Sequence, residues 1–208
     1  MNRRHFIRLA LAAPAAPALA AGQPPVILVL GDSLSAEYGI ARGSGWVALL
    51  QQKLTDEKRS ATVVNASISG DTSSGGRARL PALLTKHHPA VVVIELGGND
   101  ALRGLPLAMT EANLNAMTQT AQQAGARVLL VGMQVPPNYG AQYGQRFEAL
   151  FAQVARAHKA ALVPFLLKGV ADGPDPTRLF QADRIHPTAA AHPIILGNVW
   201  PTLQKLLK

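Results

Sequence analysis

The residues of this chain best suited to covalent chemistry are the serine of Gly31-Asp32-Ser33-Leu34-Ser35 and the histidine of Asp183-Arg184-Ile185-His186-Pro187. A serine hydroxyl is a poor nucleophile until a base takes its proton, and an imidazole is suited to do so near neutral pH. His186 is the candidate base, because a carboxylate three residues earlier, Asp183, can fold back across a tight turn to orient the second ring nitrogen. Attack by Ser33 on an ester carbonyl puts negative charge on the carbonyl oxygen, which preorganised N–H donors stabilise. Asn99, in Gly97-Gly98-Asn99-Asp100, can offer its side-chain amide. Gly70, in Ser69-Gly70-Asp71-Thr72, can offer a backbone N–H with no Cβ to obstruct a substrate, and Ser33 its own N–H.

Each of these residues also has a plainer reading. Gly-Asp-Ser is ordinary turn vocabulary, and Asp32, Asp71 and Asp100 read as carboxylates that brace loops by bonding the backbone. His87, His88, His158 and His192 read as satisfied core or surface histidines, with His87-His88 closing a helix. Other chemistries lack their residues: no Gly-Lys-Ser/Thr ends a phosphate loop, no His-x-x-x-His binds a metal, and Glu37 and Glu95 do not form an evident glycosidase pair. There is no cysteine, hence no disulfide and no thiolate.

Positioning four separated segments requires a scaffold that brings them to one edge. Short apolar runs at Val26–Leu30, Ala61–Ala66, Val91–Leu96, Arg127–Val131 and Ala161–Phe165 alternate with amphipathic stretches at Trp46–Leu54, Ala78–Lys86, Glu111–Ala124 and Gln145–His158. This rhythm predicts about five parallel strands with helices on both faces, and in such a sheet the strand ends converge on one cleft. Ser44 is expected to cap the first helix, with Trp46 facing the core, and Gly125 to end the helix from Glu111. Pro193 and Pro201 predict a broken or kinked last helix.

At 208 residues, 48% apolar and 15% charged, the chain fits one domain, assigned to 21–208. Residues 1–20 read as a signal peptide: Arg3, Arg4 and Arg8, then an alanine-rich apolar stretch too short to span a bilayer, then Ala18-Leu19-Ala20. Arg3-Arg4-His5-Phe6-Ile7 resembles a twin-arginine export signal. Cleavage near Ala20 implies a periplasmic or secreted protein and removes three arginines and no acid, leaving a basic chain. No basic run interleaved with aromatics marks a nucleic-acid face; transient contact with a membrane surface is compatible with the charge.

Taken together, the four segments resemble the blocks of the GDSL or SGNH hydrolase family, in which a Ser, a Gly, an Asn and a His occur in that order. Val64–Thr72, Arg79–Leu84, Glu95–Gly104 and Pro137-Asn138-Tyr139-Gly140 are similar to its bacterial periplasmic thioesterase I/lysophospholipase/arylesterase group, so the resemblance covers essentially the whole mature chain. It implies a flavodoxin-like three-layer α/β/α sandwich, a Ser33–His186–Asp183 triad, and an oxyanion hole of Ser33, Gly70 and Asn99. It also implies that the loop with Val135, Pro136, Pro137 and Tyr139 closes over the acyl chain. The expected enzyme is a monomeric serine esterase that needs no metal or organic cofactor and acts on small esters, thioesters or lysophospholipids. Rival expectations are a carbohydrate O-acetylesterase and a non-catalytic exported flavodoxin-like binding module. The chain departs from close relatives at Glu37, where they tend to have a small residue, and at Arg184, where they often have glycine; a Glu37–Arg184 ion pair at the cleft rim is expected.

Overall fold

Each apolar run becomes a strand of one parallel sheet: β1 (Val26–Gly31), β2 (Thr62–Asn65), β3 (Val91–Glu95), β4 (Arg127–Val131) and β5 (Ala161–Val163). The computed structural model describes residues 24–208, so the signal peptide expected over 1–20 lies outside the described residues. The strands lie in the order β2-β1-β3-β4-β5. β1 and β3 are adjacent at the centre, with Leu28 opposite Val92 and Leu30 opposite Ile94. Ile27 to Leu30 and Val91 to Ile94 are fully buried, because helices cover both faces and leave no polar side to alternate with.

The helices are α1 (Trp46–Asp56), α2 (Ser73–His87), α3 (Gly98–Leu102), α4 (Leu107–Gln123), α5 (Ala141–His158) and α6 (His192–Leu203). α1 packs on α6, while α4 packs between α2 and α5, giving the two outer layers of an α/β/α sandwich. Strands are added to one side of β1 as β2 and to the other from β3 onward, so the cleft of this topology opens where β1 and β3 end. Those ends carry Ser33 and Asn99.

Local sequence explains most helix ends. Thr72 caps α2, its hydroxyl accepting from Gly75 N, and His88 closes it in a left-handed conformation. Gly125, with φ +85°, follows α4 as expected. Two expectations are corrected. The residue before α1 is Gly45 in an extended conformation with no side-chain cap, while Ser44 Oγ donates to the Ala41 carbonyl; the Trp46 N–H instead donates to His192 Nδ1 at 3.0 Å. α6 runs unbroken from His192 to Leu203, because Pro193 sits in the first turn, where its missing N–H costs no bond, and Pro201 lies within the helix near its end.

Between β4 and β5 the chain leaves no room for a side chain. Gly132 N donates to Val163 O and its carbonyl accepts from Leu166 N, so the two strand exits are in backbone contact. A Cβ on Gly132 would overlap the Pro164 carbonyl, which is backbone and has nowhere to go. Gly132→Ala is expected to lower the unfolding free energy by about 1–3 kcal/mol. Denaturant titration should show a lower midpoint at unchanged slope; an unchanged midpoint would mean that the exits separate freely.

Candidate active site

Ser33 leaves β1 in a tight turn whose two ends are held by one carboxyl oxygen. Glu95, the last residue of β3, accepts from Ser35 Oγ at 2.7 Å and from Asp32 N at 3.4 Å through Oε2. Trp46 Nε1 donates to the same Ser35 hydroxyl at 3.1 Å. A side chain at Gly31 would fall 2.8 Å from both Glu95 Oε2 and Ser35 Oγ, which is why the strand ends in glycine. Glu95 is completely buried, and its Oε1 has no hydrogen-bond partner among the described residues.

The histidine loop closes on itself before it reaches the serine. Gln181 N donates to His186 O and Arg184 N to Gln181 O, while Asp183 Oδ1 accepts from the N–H groups of Ile185 (2.9 Å) and His186 (3.0 Å). Arg184 sits at φ +57°, a left-handed conformation that a glycine adopts at no steric cost. Asp183 Oδ2 lies 2.6 Å from His186 Nδ1, and His186 Nε2 lies 2.9 Å from Ser33 Oγ. A carboxylate at that distance keeps a proton on Nδ1, leaving Nε2 to accept from the serine hydroxyl. The His186 N–H, then the Ile185 N–H and the imidazole, hold the Asp183 carboxyl down at about 2.

The expected oxyanion donors converge on the same turn. Gly70 takes φ +78°, and neither its N–H nor that of Ser33 donates to another backbone group. Asn99 is brought in by the short helix α3, and its Nδ2 donates to Asp32 Oδ2 at 2.9 Å and to the Asp71 carbonyl at 3.0 Å. Asp71 and Asp100 are the braces expected. Asp71 pairs with Arg79 at 2.8 Å; Asp100, fully buried, accepts from Ser73 N, from the Ser73 hydroxyl and from Thr110 Oγ1. Asp32 does more than brace, since its carboxylate also fixes the Asn99 amide.

The expected Glu37–Arg184 pair is absent. Glu37, itself at φ +60°, spends Oε1 on the N–H groups of Gly43 and Gly45 at 2.8 Å each, so it ties the loop that leads into α1. The loop expected to close over the acyl chain lies apart from the triad. Val135, Pro136 and Pro137 line a groove of about 190 Å³ with Gly140, Ala141, Gly144 and Glu148, and none of Ser33, Gly70, Asn99 or His186 lines it. Tyr139 is not in that lining; it stacks on Tyr143, ring centroids 6.0 Å apart.

Sequence reading passed over Glu95 and two contacts between loops. The Tyr38 ring lies 4.2 Å from the His186 ring, and Gln181 Nε2 donates to the Tyr38 carbonyl at 2.9 Å, locking the serine and histidine loops together. Arg103 Nη2 donates to the Gly70 carbonyl at 2.7 Å and so orients that peptide. Glu95 was visible as a charged residue closing an otherwise apolar strand; the other two lie in loops, where no periodicity marks them.

Burial pushes the Asp32 carboxyl up to about 6 from 3.8, and burial with the neighbouring Asp32 charge drives Glu95 well above the usual carboxylate range. Folding therefore favours protonated Asp32. Its contribution to stability is complete below 3.8 and is lost as pH rises through about 6. Asp32→Asn is expected to flatten the fall in unfolding free energy across that window, measured by denaturant titrations at several pH values. A slope identical to that of the unmodified protein would assign the dependence to another group.

The chain is similar to known proteins over most of its length. A profile of the GDSL-like lipase/acylhydrolase family matches residues 29–194. The esterase TesA of Pseudomonas aeruginosa is 56% identical over 181 residues, covering 87% of this chain and 89% of that protein. The thioesterase 1/protease 1/lysophospholipase L1 of Escherichia coli K12 is 42% identical over 181 residues, covering 87% and 84%. A crystal structure of TesA superposes with a TM-score of 0.83 at 55% identity, covering 87% of this chain and 99% of that one.

Proposed function

Because the chain belongs to the GDSL-like lipase/acylhydrolase family, we propose that it is a serine esterase in which Ser33 is the nucleophile, His186 the general base and acid, and Asp183 the residue that orients the imidazole. The observation that carries this reading is the continuous hydrogen-bonded line from Ser33 Oγ through His186 to Asp183. His186 Nε2 takes the hydroxyl proton as Ser33 attacks the acyl carbonyl, and returns it to the departing alcohol or thiol. Water then repeats the cycle on the acyl-enzyme with the same base.

The tetrahedral oxyanion is received by the N–H groups of Ser33 and Gly70 and by the Asn99 amide. Both hydrogens of Asn99 Nδ2 are engaged before substrate arrives. An oxyanion displaces the weaker bond, the one to the neutral Asp71 carbonyl, while the bond to Asp32 keeps the amide aimed.

The substrates are acyl esters, with thioesters and lysophospholipids in the same class, as the names of the two relatives support. The groove at Val135, Pro136 and Pro137 and the neighbouring Tyr139 serve the acyl chain. The enzyme works as a monomer in the periplasm or outside the cell after removal of 1–20, with 21–208 as its single domain.

Two substitutions on one ester panel test the assignment. Ser33→Ala is expected to reduce kcat by about 10⁴-fold or more and Asn99→Ala by about 10²–10³-fold, with both proteins keeping the unmodified unfolding midpoint. Hydrolysis unchanged in Ser33→Ala would overturn the esterase reading and leave a binding module. Comparing p-nitrophenyl acetate and octanoate separates the remaining rival, since a strong acetyl preference is what an O-acetylesterase would give.

A further inference from the structure

Large apolar side chains left in water are concentrated on one part of this molecule. Tyr38, Ile68, Leu102 and Ile185 are each about half exposed; Ile185 lies in the histidine segment and the other three lie next to the other three site segments, while Met109 on α4 and Ile194 on α6 are the others among the described residues. Singly scattered apolar residues on a surface are ordinary, but a group around one cleft marks an interaction face. Hydrogen bonds and contacts join these four into one rim. The Tyr38 ring lies against His186, next to Ile185, and Gln181 ties the two loops. Ile68 N donates to Gly31 O at the end of β1, and Asp71 N donates to Ile68 O. Arg103, the residue after Leu102, reaches across to the Gly70 carbonyl at 2.7 Å.

Basic side chains outnumber acidic ones around this rim. Arg42, Arg103 and Arg184 are exposed, and none of them is ion-paired among the described residues. The acids nearby are committed: Asp183 to His186 and two backbone N–H groups, Glu37 to Gly43 and Gly45, Asp71 to Arg79. An apolar ring studded with unpaired arginines is complementary to an anionic phospholipid surface, where guanidinium groups meet phosphates and the apolar side chains enter the headgroup boundary.

We propose that the cleft rim formed by Tyr38, Ile68, Leu102 and Ile185 docks the protein on anionic phospholipid surfaces, so that an ester held in such a surface meets Ser33 without first leaving it. This rests on the esterase reading and adds to it the surface from which substrate is drawn. The overall excess of basic residues, 20 Lys and Arg against 12 Asp and Glu, persists after removal of Arg3, Arg4 and Arg8 with residues 1–20 and acts in the same direction.

The test is co-sedimentation of the protein with extruded phosphatidylcholine vesicles prepared with and without phosphatidylglycerol, alongside hydrolysis of a soluble short-chain ester. The unmodified protein should sediment with the phosphatidylglycerol vesicles, less with phosphatidylcholine alone, and less again as salt is raised. The double substitution Ile68→Ser/Leu102→Ser should weaken partition by roughly tenfold or more, while kcat/KM on the soluble ester stays within about twofold, as expected of exposed positions. Equal partition of the two proteins, or no preference for anionic vesicles, overturns the docking face. Vesicle binding by a protein that fails on the soluble ester supports the face and overturns the esterase reading.

Discussion

The site depends on one buried carboxyl group. Glu95 Oε2 holds the Ser35 hydroxyl at 2.7 Å and reaches the Asp32 N–H at 3.4 Å, so the turn that presents Ser33 is fixed from below by the neighbouring strand as well as by its own bonds from Ser35 N and Ala36 N to the Asp32 carbonyl. Trp46 adds a bond from α1 to the same hydroxyl. β1, β3 and α1 are thereby tied at the point where the sheet topology opens its cleft. A neutral amide or hydroxyl could make a similar bond; an acid does so here at the cost of complete burial without a cation. That cost is met by staying protonated, which the upward push on Glu95 expresses.

Protonation of Glu95 leaves Asp32 as the member of the pair that ionises near neutrality. Asp32 sits directly beside the nucleophile yet faces Asn99 and the Leu34 N–H. Its negative charge therefore falls on the oxyanion donor and makes that amide rigid. Two acids of similar burial are driven to different roles by their neighbours: one serves the turn as a neutral group, the other serves the donor as a charged one.

Much of this was legible in the sequence because each part rests on a local signal. Five apolar runs predicted five parallel strands, and Ser33, Gly70, Asn99, Asp183 and His186 were identifiable by residue type and spacing. The helix starts were read too late: α2 begins at Ser73, not Ala78, α4 at Leu107, not Glu111, and α5 at Ala141, not Gln145. α2 opens on Ser73-Ser74-Gly75-Gly76, which carries no apolar period, and in α4 and α5 the regular run of buried residues begins only with Asn113 and Phe147, after the first turn. Ser44 and Glu37 show a second limit. The residue type was right for a cap or a charge partner, but the partner actually taken depended on a loop geometry set by residues 6 to 8 positions away for Glu37 and 146 for His192 on Trp46. Contacts such as Gln181 with Tyr38 and Arg103 with Gly70 exist only once the sheet has brought four loops together.

The engaged state of Asn99 bears on how such a site discriminates between substrate and transition state. A carbonyl oxygen of an intact ester is a modest acceptor and gains little by competing with the Asp71 carbonyl for an amide hydrogen. A tetrahedral oxyanion is a far stronger acceptor, and charge-assisted bonds are about twice as strong as neutral ones. In the proposed mechanism the exchange becomes favourable only as charge develops, so the amide would contribute to the transition state without tightening the hold on the ground state. The Ser33 and Gly70 N–H groups, free of backbone partners from the start, would meet both. Asp32 makes the distinction workable, because its bond to the same nitrogen survives the exchange and keeps the released hydrogen pointed at the reacting carbon's oxygen.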